Sequence, residues 1–188
     1  VYSWMNINYL DLMDAAKYPE ISELIERVQQ WDRKTDATSL GAGTYLILYH
    51  QLYPFYNALP VPKIIPTSVL VKAFKNAKAH MLKHFGTINV SLGDYQKLVR
   101  GDKELPVFGI NDVVTAMSSV PHKDGKVKVT AGESYIELVK FTPEGPEIES
   151  VISYGSSDHP DSPHYNDQME MYTSYKTKKM TFDKAKIY

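Results

Sequence analysis

Apolar residues recur at helical spacing through the first half of the chain and at alternate positions through much of the second. Ile21, Leu24, Ile25, Val28 and Trp31 follow the i, i+3, i+4, i+7 rule, which puts them on one face of a helix. Pro19 suits its first helical position, and Glu20 and Glu23 complement the positive end of its dipole. A second helix is predicted over 39–53, with Tyr45, Leu48, Tyr49 and Leu52 on one face. Leu46 and Ile47 lie off that face, so the element is apolar most of the way round and should be buried; Pro54 should end it. Three prolines make 58–66 a connection. Thr67 or Ser68 can then cap a third helix, striped by Leu70, Ala73, Phe74, Ala77 and Met81 and stopped by Gly86.

The period then changes. Val127 and Val129 alternate with Lys126, Lys128 and Thr130 after an Asp124-Gly125 turn, as in a half-buried strand. A second strand is expected over 134–141, a turn at Pro143-Glu144-Gly145, and a third strand carrying Ile148, Ile152 and Tyr154. These read as one antiparallel meander over 126–154. Three such strands are only marginally stable alone, so their best partners should lie outside this chain. A polar loop over 155–163 leads to a short helix over 166–175. The fold class is therefore α+β in a single piece, 1–188: helical over 18–86, strand-rich over 112–154, with a C-terminal loop and helix over 155–188.

Composition narrows the function classes. The 188 residues carry 21 basic and 22 acidic side chains, a net charge of −1, which gives no electrostatic case for nucleic acid or an anionic membrane surface. Lys72, Lys75, Lys78 and Lys83 lie largely off the third helix's apolar stripe and read as a solvated face. No apolar run approaches the ~18 residues of a membrane span. The absence of cysteine excludes a disulfide scaffold, a thiol nucleophile and Cys-ligated zinc. Val1-Tyr2-Ser3-Trp4 has neither an initiator Met nor a signal-peptide pattern, so the start is expected to be processed, excised or truncated.

Most catalytic signatures are missing: there is no G-x-S-x-G elbow, H-E-x-x-H or Walker loop. Gly41-Ala42-Gly43 begins a dinucleotide fingerprint, but Leu46 stands where the third glycine belongs, which favours a closely packed helix start. His80 and His84, four apart, could share a metal, though no third ligand lies near in sequence. Ser157, Asp158 and His159 supply the residue types of a triad, but contiguous residues cannot converge as a triad must. Asp158, Asp161 and Asp167 could hold a hard cation; alternatively Ser162 caps a helix, Pro163 fills its first turn, and Asp167 and Gln168 complete its first hydrogen bonds.

The same segment carries a resemblance. Tyr154-Gly155-Ser156, then Ser162-Pro163-His164-Tyr165 and Asp167-Gln168, resemble the C-terminal S-P-H-Y-x-D-Q signature of penicillin acylases and of their acyl-homoserine-lactone and aculeacin acylase relatives. Lys179-Met180-Thr181-Phe182-Asp183 looks like that family's final strand. Gly93-Asp94-Tyr95-Gln96, with Leu98-Val99-Arg100-Gly101 and Leu105-Pro106, is similar to its G-D-x-x-R/K stretch. Val129 to Tyr135 resembles its G-x-S strand start, and Val28-Gln29-Gln30-Trp31-Asp32 followed by Ser39 resembles its L-x-x-W-D helix. Three positions depart from the pattern and mark a divergent member. Ser91-Leu92 stand where a Trp usually precedes Gly-Asp, Phe108-Gly109-Ile110 replace paired glycines, and Tyr49-His50 replace a frequent Trp.

The resemblance implies a piece of an N-terminal-nucleophile hydrolase, the C-terminal part of its large chain, within a larger αββα core. In such enzymes a Ser exposed by self-cleavage uses its own α-amine as base, and backbone and Asn donors hold the oxyanion. Those groups precede the region matched here, so no catalytic residue is carried over and no substrate-binding residue is assigned. Gly93, Asp94, Ser162, Pro163, His164, Tyr165, Asp167 and Gln168 are expected to be structural. No cofactor is implied; calcium is compatible with the parent enzyme, without a site here. The implied partners are the small chain and the N-terminal part of the large chain, in the periplasm or outside the cell. The implied chemistry is amide hydrolysis of an acylated amine, a β-lactam, an acyl-homoserine lactone or similar. Two other readings stay open. One is a stand-alone binding or structural module, which should cover its apolar faces; the other is a small hydrolase using His159 or His164 in the 157–164 loop.

Overall fold

The computed structural model describes residues 13–58, 65–111, 113–182 and 185. It is α+β. Helices α1 (Ser22–Gln29), α2 (Leu40–Ala58) and α3 (Thr67–Phe85) come first, followed by a single helical turn, α4 (Leu92–Tyr95). Strands β1 (Gln96–Arg100), β2 (Lys103–Pro106), β3 (Met117–Pro121) and β4 (Val127–Gly132) form one sheet in the order β2-β1-β4-β3. Strands β5 (Tyr135–Thr142), β6 (Gly145–Ile152) and β7 (Lys178–Lys179) form a second, with α5 (Met169–Thr173) between β6 and β7.

The helical periodicity finds its core. Leu24, Ile25 and Val28 of α1 and Leu70, Phe74 and Met81 of α3 pack on α2, whose positions 44–49 are all buried. Gly43 lets the 90–92 segment close on α2: a Cβ there would stand 2.3 Å from the Val90 carbonyl oxygen. The Gly41-Ala42-Gly43 run is thus a packing device, with Gly41 under the Trp31 ring. Gly86 ends α3 at φ +69°, as a C-cap glycine should.

Several element ends differ from expectation. Pro19 lies in a turn, and α1 starts at Ser22. Trp31 stands beyond that helix, its ring 5.1 Å from Tyr45 and its Nε1 donating to the Lys34 carbonyl at 2.7 Å. Pro54 lies inside α2. The buried run before it fixes the helix, and Pro54 itself sits on the exposed stretch 53–55. Pro66, not Thr67 or Ser68, stands at the N-cap of α3. Of the expected connection 58–66, residues 59–64 lie outside the described residues.

The single meander over 126–154 is corrected. β4 pairs with β3 antiparallel and with β1 parallel, whereas among the described residues β5 pairs with β6 alone. Gly132 at φ +151° separates them: a Cβ there would meet the Ala116 carbonyl at 2.3 Å, and beyond this bend the chain enters the other sheet. The strands also begin earlier than 112, at Gln96. A second core, of Leu98, Val107, Phe108, Met117, Val129, Val151, Met169 and Tyr172, joins the two sheets and α5.

Candidate functional site

The two most specific motifs meet at the end of β1. In the first, Ser91 and Asp94 form a capping box: Ser91 Oγ accepts the Asp94 N–H at 3.1 Å, and Asp94 Oδ2 accepts the Ser91 N–H at 3.0 Å. Gly93 leaves no room for a Cβ, which would stand 2.7 Å from Pro106. Gln96, fully buried, donates through Nε2 to the Gly109 carbonyl at 2.7 Å. The Ser91-Leu92 departure is therefore functional in the fold: Ser91 caps, and Leu92 is buried.

The second motif is a stitched loop, not the start of a helix. The His164 carbonyl accepts the Ser157 N–H at 3.1 Å, the Ser162 carbonyl accepts the Tyr165 N–H at 3.1 Å, and Ser162 Oγ accepts the His164 N–H at 3.2 Å. These bonds hold Ser162-Pro163-His164-Tyr165 in turns, so α5 starts only at Met169. Asp167 Oδ2 lies 2.9 Å from His164 Nδ1. Buried Gln168 closes the end of β6, its N–H donating to the Tyr154 carbonyl at 2.8 Å and its Oε1 accepting the Ile152 N–H at 3.2 Å. Gly155 is required beneath this loop, because a Cβ would come within 2.1 Å of the His164 carbonyl oxygen.

Arg100 joins the motifs. Its guanidinium lies 4.3 Å from the Tyr165 ring centre and 5.3 Å from that of Tyr154, and donates to the Ser157 carbonyl at 3.4 Å. Its own carbonyl accepts from Asn166 Nδ2 at 3.5 Å. Sequence spacing could not reveal this, because the Arg and the two Tyr sit in three separate segments. Nearby, Phe108 stacks on Tyr172 at 5.3 Å and on Tyr175 at 4.1 Å. Tyr172 donates to the Glu133 carbonyl at 3.1 Å, and burial pushes its phenol up to about 12. The Phe108-Gly109-Ile110 departure thus supplies an aromatic stack.

In the 157–164 loop the residue types of a triad are engaged separately. His159 has its side chain 87% exposed, facing Asp158 at 3.8 Å, while Ser157 Oγ accepts the His159 backbone N–H at 3.2 Å. Asp158, Asp161 and Asp167 are not gathered around a point: among the described residues no group of three His, Cys, Asp or Glu is placed to hold a metal. His80 and His84 do share a face, rings 4.6 Å apart, but His80 spends Nε2 on the Gly125 carbonyl at 2.7 Å. His50, on α2, lies 2.8 Å from the Tyr95 hydroxyl, and burial, with His80 nearby, pushes it down to about 4. Two of the α3 lysines have local partners: Lys75 pairs with Glu20 at 2.7 Å and Lys78 donates to the Glu20 carbonyl. No helix among the described residues is long and apolar enough to cross a membrane.

The final-strand expectation over 179–183 is met in part. β7 covers only Lys178–Lys179, although Met180 still donates its N–H to the Ile148 carbonyl at 2.9 Å; Asp183 lies outside the described residues.

Comparison with known proteins agrees with these motifs. The acyl-homoserine lactone acylase PvdQ of Pseudomonas syringae pv. tomato is 30% identical over 196 aligned residues, covering 93% of this chain and 25% of that protein. PvdQ of Pseudomonas syringae pv. syringae is 32% identical over 98 residues, or 50% of this chain and 13% of that protein. Aculeacin-A acylase of Actinoplanes utahensis is 28% identical over 87 residues, 44% of this chain and 11% of that protein. The chain therefore spans a quarter or less of the length of these relatives. Among solved structures, thermostable penicillin G acylase from Alcaligenes faecalis overlaps 97% of this chain and 34% of its own, at 20% identity and a TM-score of 0.29, too loose to bear on the fold. The penicillin amidase family model matches residues 2–188, and the chain belongs to that family.

Proposed function

We propose that these 188 residues are the C-terminal structural portion of a penicillin-acylase-type amidohydrolase, one that cleaves the amide of an acylated amine. The nucleophile, its α-amine base and the oxyanion donors come from elsewhere in that polypeptide, within an αββα core. The observation that carries this reading is the use to which the motif residues are put. Ser162, His164, Asp167 and Gln168 hold backbone or one another, and Gly93 and Asp94 pack and cap. Supporting it, large apolar side chains stand uncovered on β5, where a module that lives alone would hide them. The relatives' names point to acyl-homoserine lactones or aculeacin A as the substrate class; action in the periplasm or outside the cell is implied by the family resemblance alone.

Expression of the longer reading frame tests the proposal. The product should cleave itself into two chains, the larger beginning with Ser and containing these residues. A reading frame that starts just before Val1 and makes this chain alone would overturn it.

A further inference from the structure

The outer edge of β5 is a second kind of unfinished surface. Among the described residues β5 ends its sheet, pairing with β6 alone in an unbroken register from Tyr135↔Ile152 to Thr142↔Gly145. The two-residue turn at Pro143-Glu144 makes Thr142 and Gly145 a hydrogen-bonded pair. At the other end of the ribbon the Ser153 N–H donates to the Ser134 carbonyl at 3.3 Å, in phase with that pair. Alternation then turns the N–H and C=O groups of Ile136, Leu138 and Lys140 toward β6. Those of Tyr135, Glu137, Val139 and Phe141 point outward.

This edge is long and poorly guarded. Phe141 is 85% exposed, Leu138 58%, Tyr135 47% and Val139 44%. Tyr135–Thr142 contains no proline, glycine or bulge, and its charges, Glu137 and Lys140, are of opposite sign. Edges that face water are usually blunted by such devices. We propose that the outer edge of β5 receives an extended strand from the part of the same acylase polypeptide that lies outside these residues. The proposal rests on the functional reading above, and its occupant is argued from length. The fully aligned relative has about three times as much chain outside the matched quarter, and a tethered strand competes at high effective concentration against any separate molecule.

Residue-level amide hydrogen exchange on this chain and on the longer protein tests it. In the 188-residue chain the Ile136, Leu138 and Lys140 amides should be slow and the Glu137, Val139 and Phe141 amides fast. In the longer protein the second set should slow on the order of 100-fold. Val139→Pro should leave the hairpin of the 188-residue chain intact, because its N–H points outward, yet reopen that edge in the longer protein. Outward amides equally fast in both proteins would overturn the proposal. So would outward amides slow in the 188-residue chain in proportion to its concentration, which would make a second copy the occupant. Failure of the unmodified longer protein to hydrolyse acyl amides would instead overturn the functional reading, whatever the exchange.

Discussion

The Tyr165 ring lies over the Arg100 guanidinium at 4.3 Å, and through this contact the loop after β6 is fastened to the end of β1. The two stand 65 positions apart in sequence, and the chain between them runs through strands of both sheets. Gly101, at φ +64°, brings the β1–β2 turn under the same ring, where an added Cβ would stand 3.0 Å from Tyr165 Cε1. Tyr165→Phe keeps the face and should change stability by less than about 0.5 kcal/mol. Tyr165→Leu removes it and should cost on the order of 1 kcal/mol, read by denaturant melts.

Gln168 should matter more than Asp167. Removing the buried Gln168 side chain leaves the half-buried Ile152 N–H without its Oε1 acceptor, so Gln168→Ala should cost about 1–3 kcal/mol. Asp167 faces a half-exposed His164 and should cost no more than about 1 kcal/mol as alanine. Equal losses at the two positions would contradict the division of roles.

Two glycines set a contest between propensity and space. Gly43→Ala gains about 1 kcal/mol of helix propensity, but its Cβ would stand 2.3 Å from a backbone carbonyl that cannot give way cheaply. Net destabilisation is expected, and likewise for Gly155→Ala. A rise in thermal midpoint for either variant would show that the close approach does not exist.

Much of this was legible in the sequence, and the failures have physical causes. The helical stripes of α1 and α3 and the burial of α2 follow from periodicity, because each face has one core to meet. Strand alternation reveals which face is buried but not which strand lies alongside, so β4 and β5 looked like neighbours although Gly132 sends them to different sheets. β1, β2 and β3 are short, and Gln96, Lys97 and Glu104 hide their pattern. Ser162-Pro163 reads locally as a helix start, yet the cross-loop bond from Ser157 to His164 holds it in turns. No sequence signal pointed to the Arg100 clamp, whose two Tyr partners lie in other segments.

Acid should weaken the fold in two separable steps. His50 is held near 4, below its ordinary value, so between about pH 4 and 6.5 the unfolded chain binds the extra proton. Stability therefore rises with pH across that window and is flat above it, by up to about 3 kcal/mol. Glu104 is held at about 2 by Lys123 first and then Lys126, so its contribution is present above about pH 4.5 and is lost as pH falls toward 2. Lys123, its first partner, is largely exposed, and the screening this brings keeps that contribution on the order of 1 kcal/mol. Denaturant melts from pH 3 to 8 should show the upper step shrink in His50→Asn to the share of His80, which burial also lowers, while the lower one stays. Retention of the whole upper step would assign it to another group.

An amide-hydrolysis assay of the purified 188-residue chain tests most directly whether it is scaffold and not catalyst. Penicillin G, a long-chain acyl-homoserine lactone and an acyl-peptide serve as substrates, with His159→Ala and His164→Ala as controls. No release of amine above background is expected from any of the three, whereas the longer, self-cleaved protein should turn over at least one. Turnover by the 188-residue chain that disappears in either histidine variant would contradict the account and place a catalytic site in the 157–164 loop.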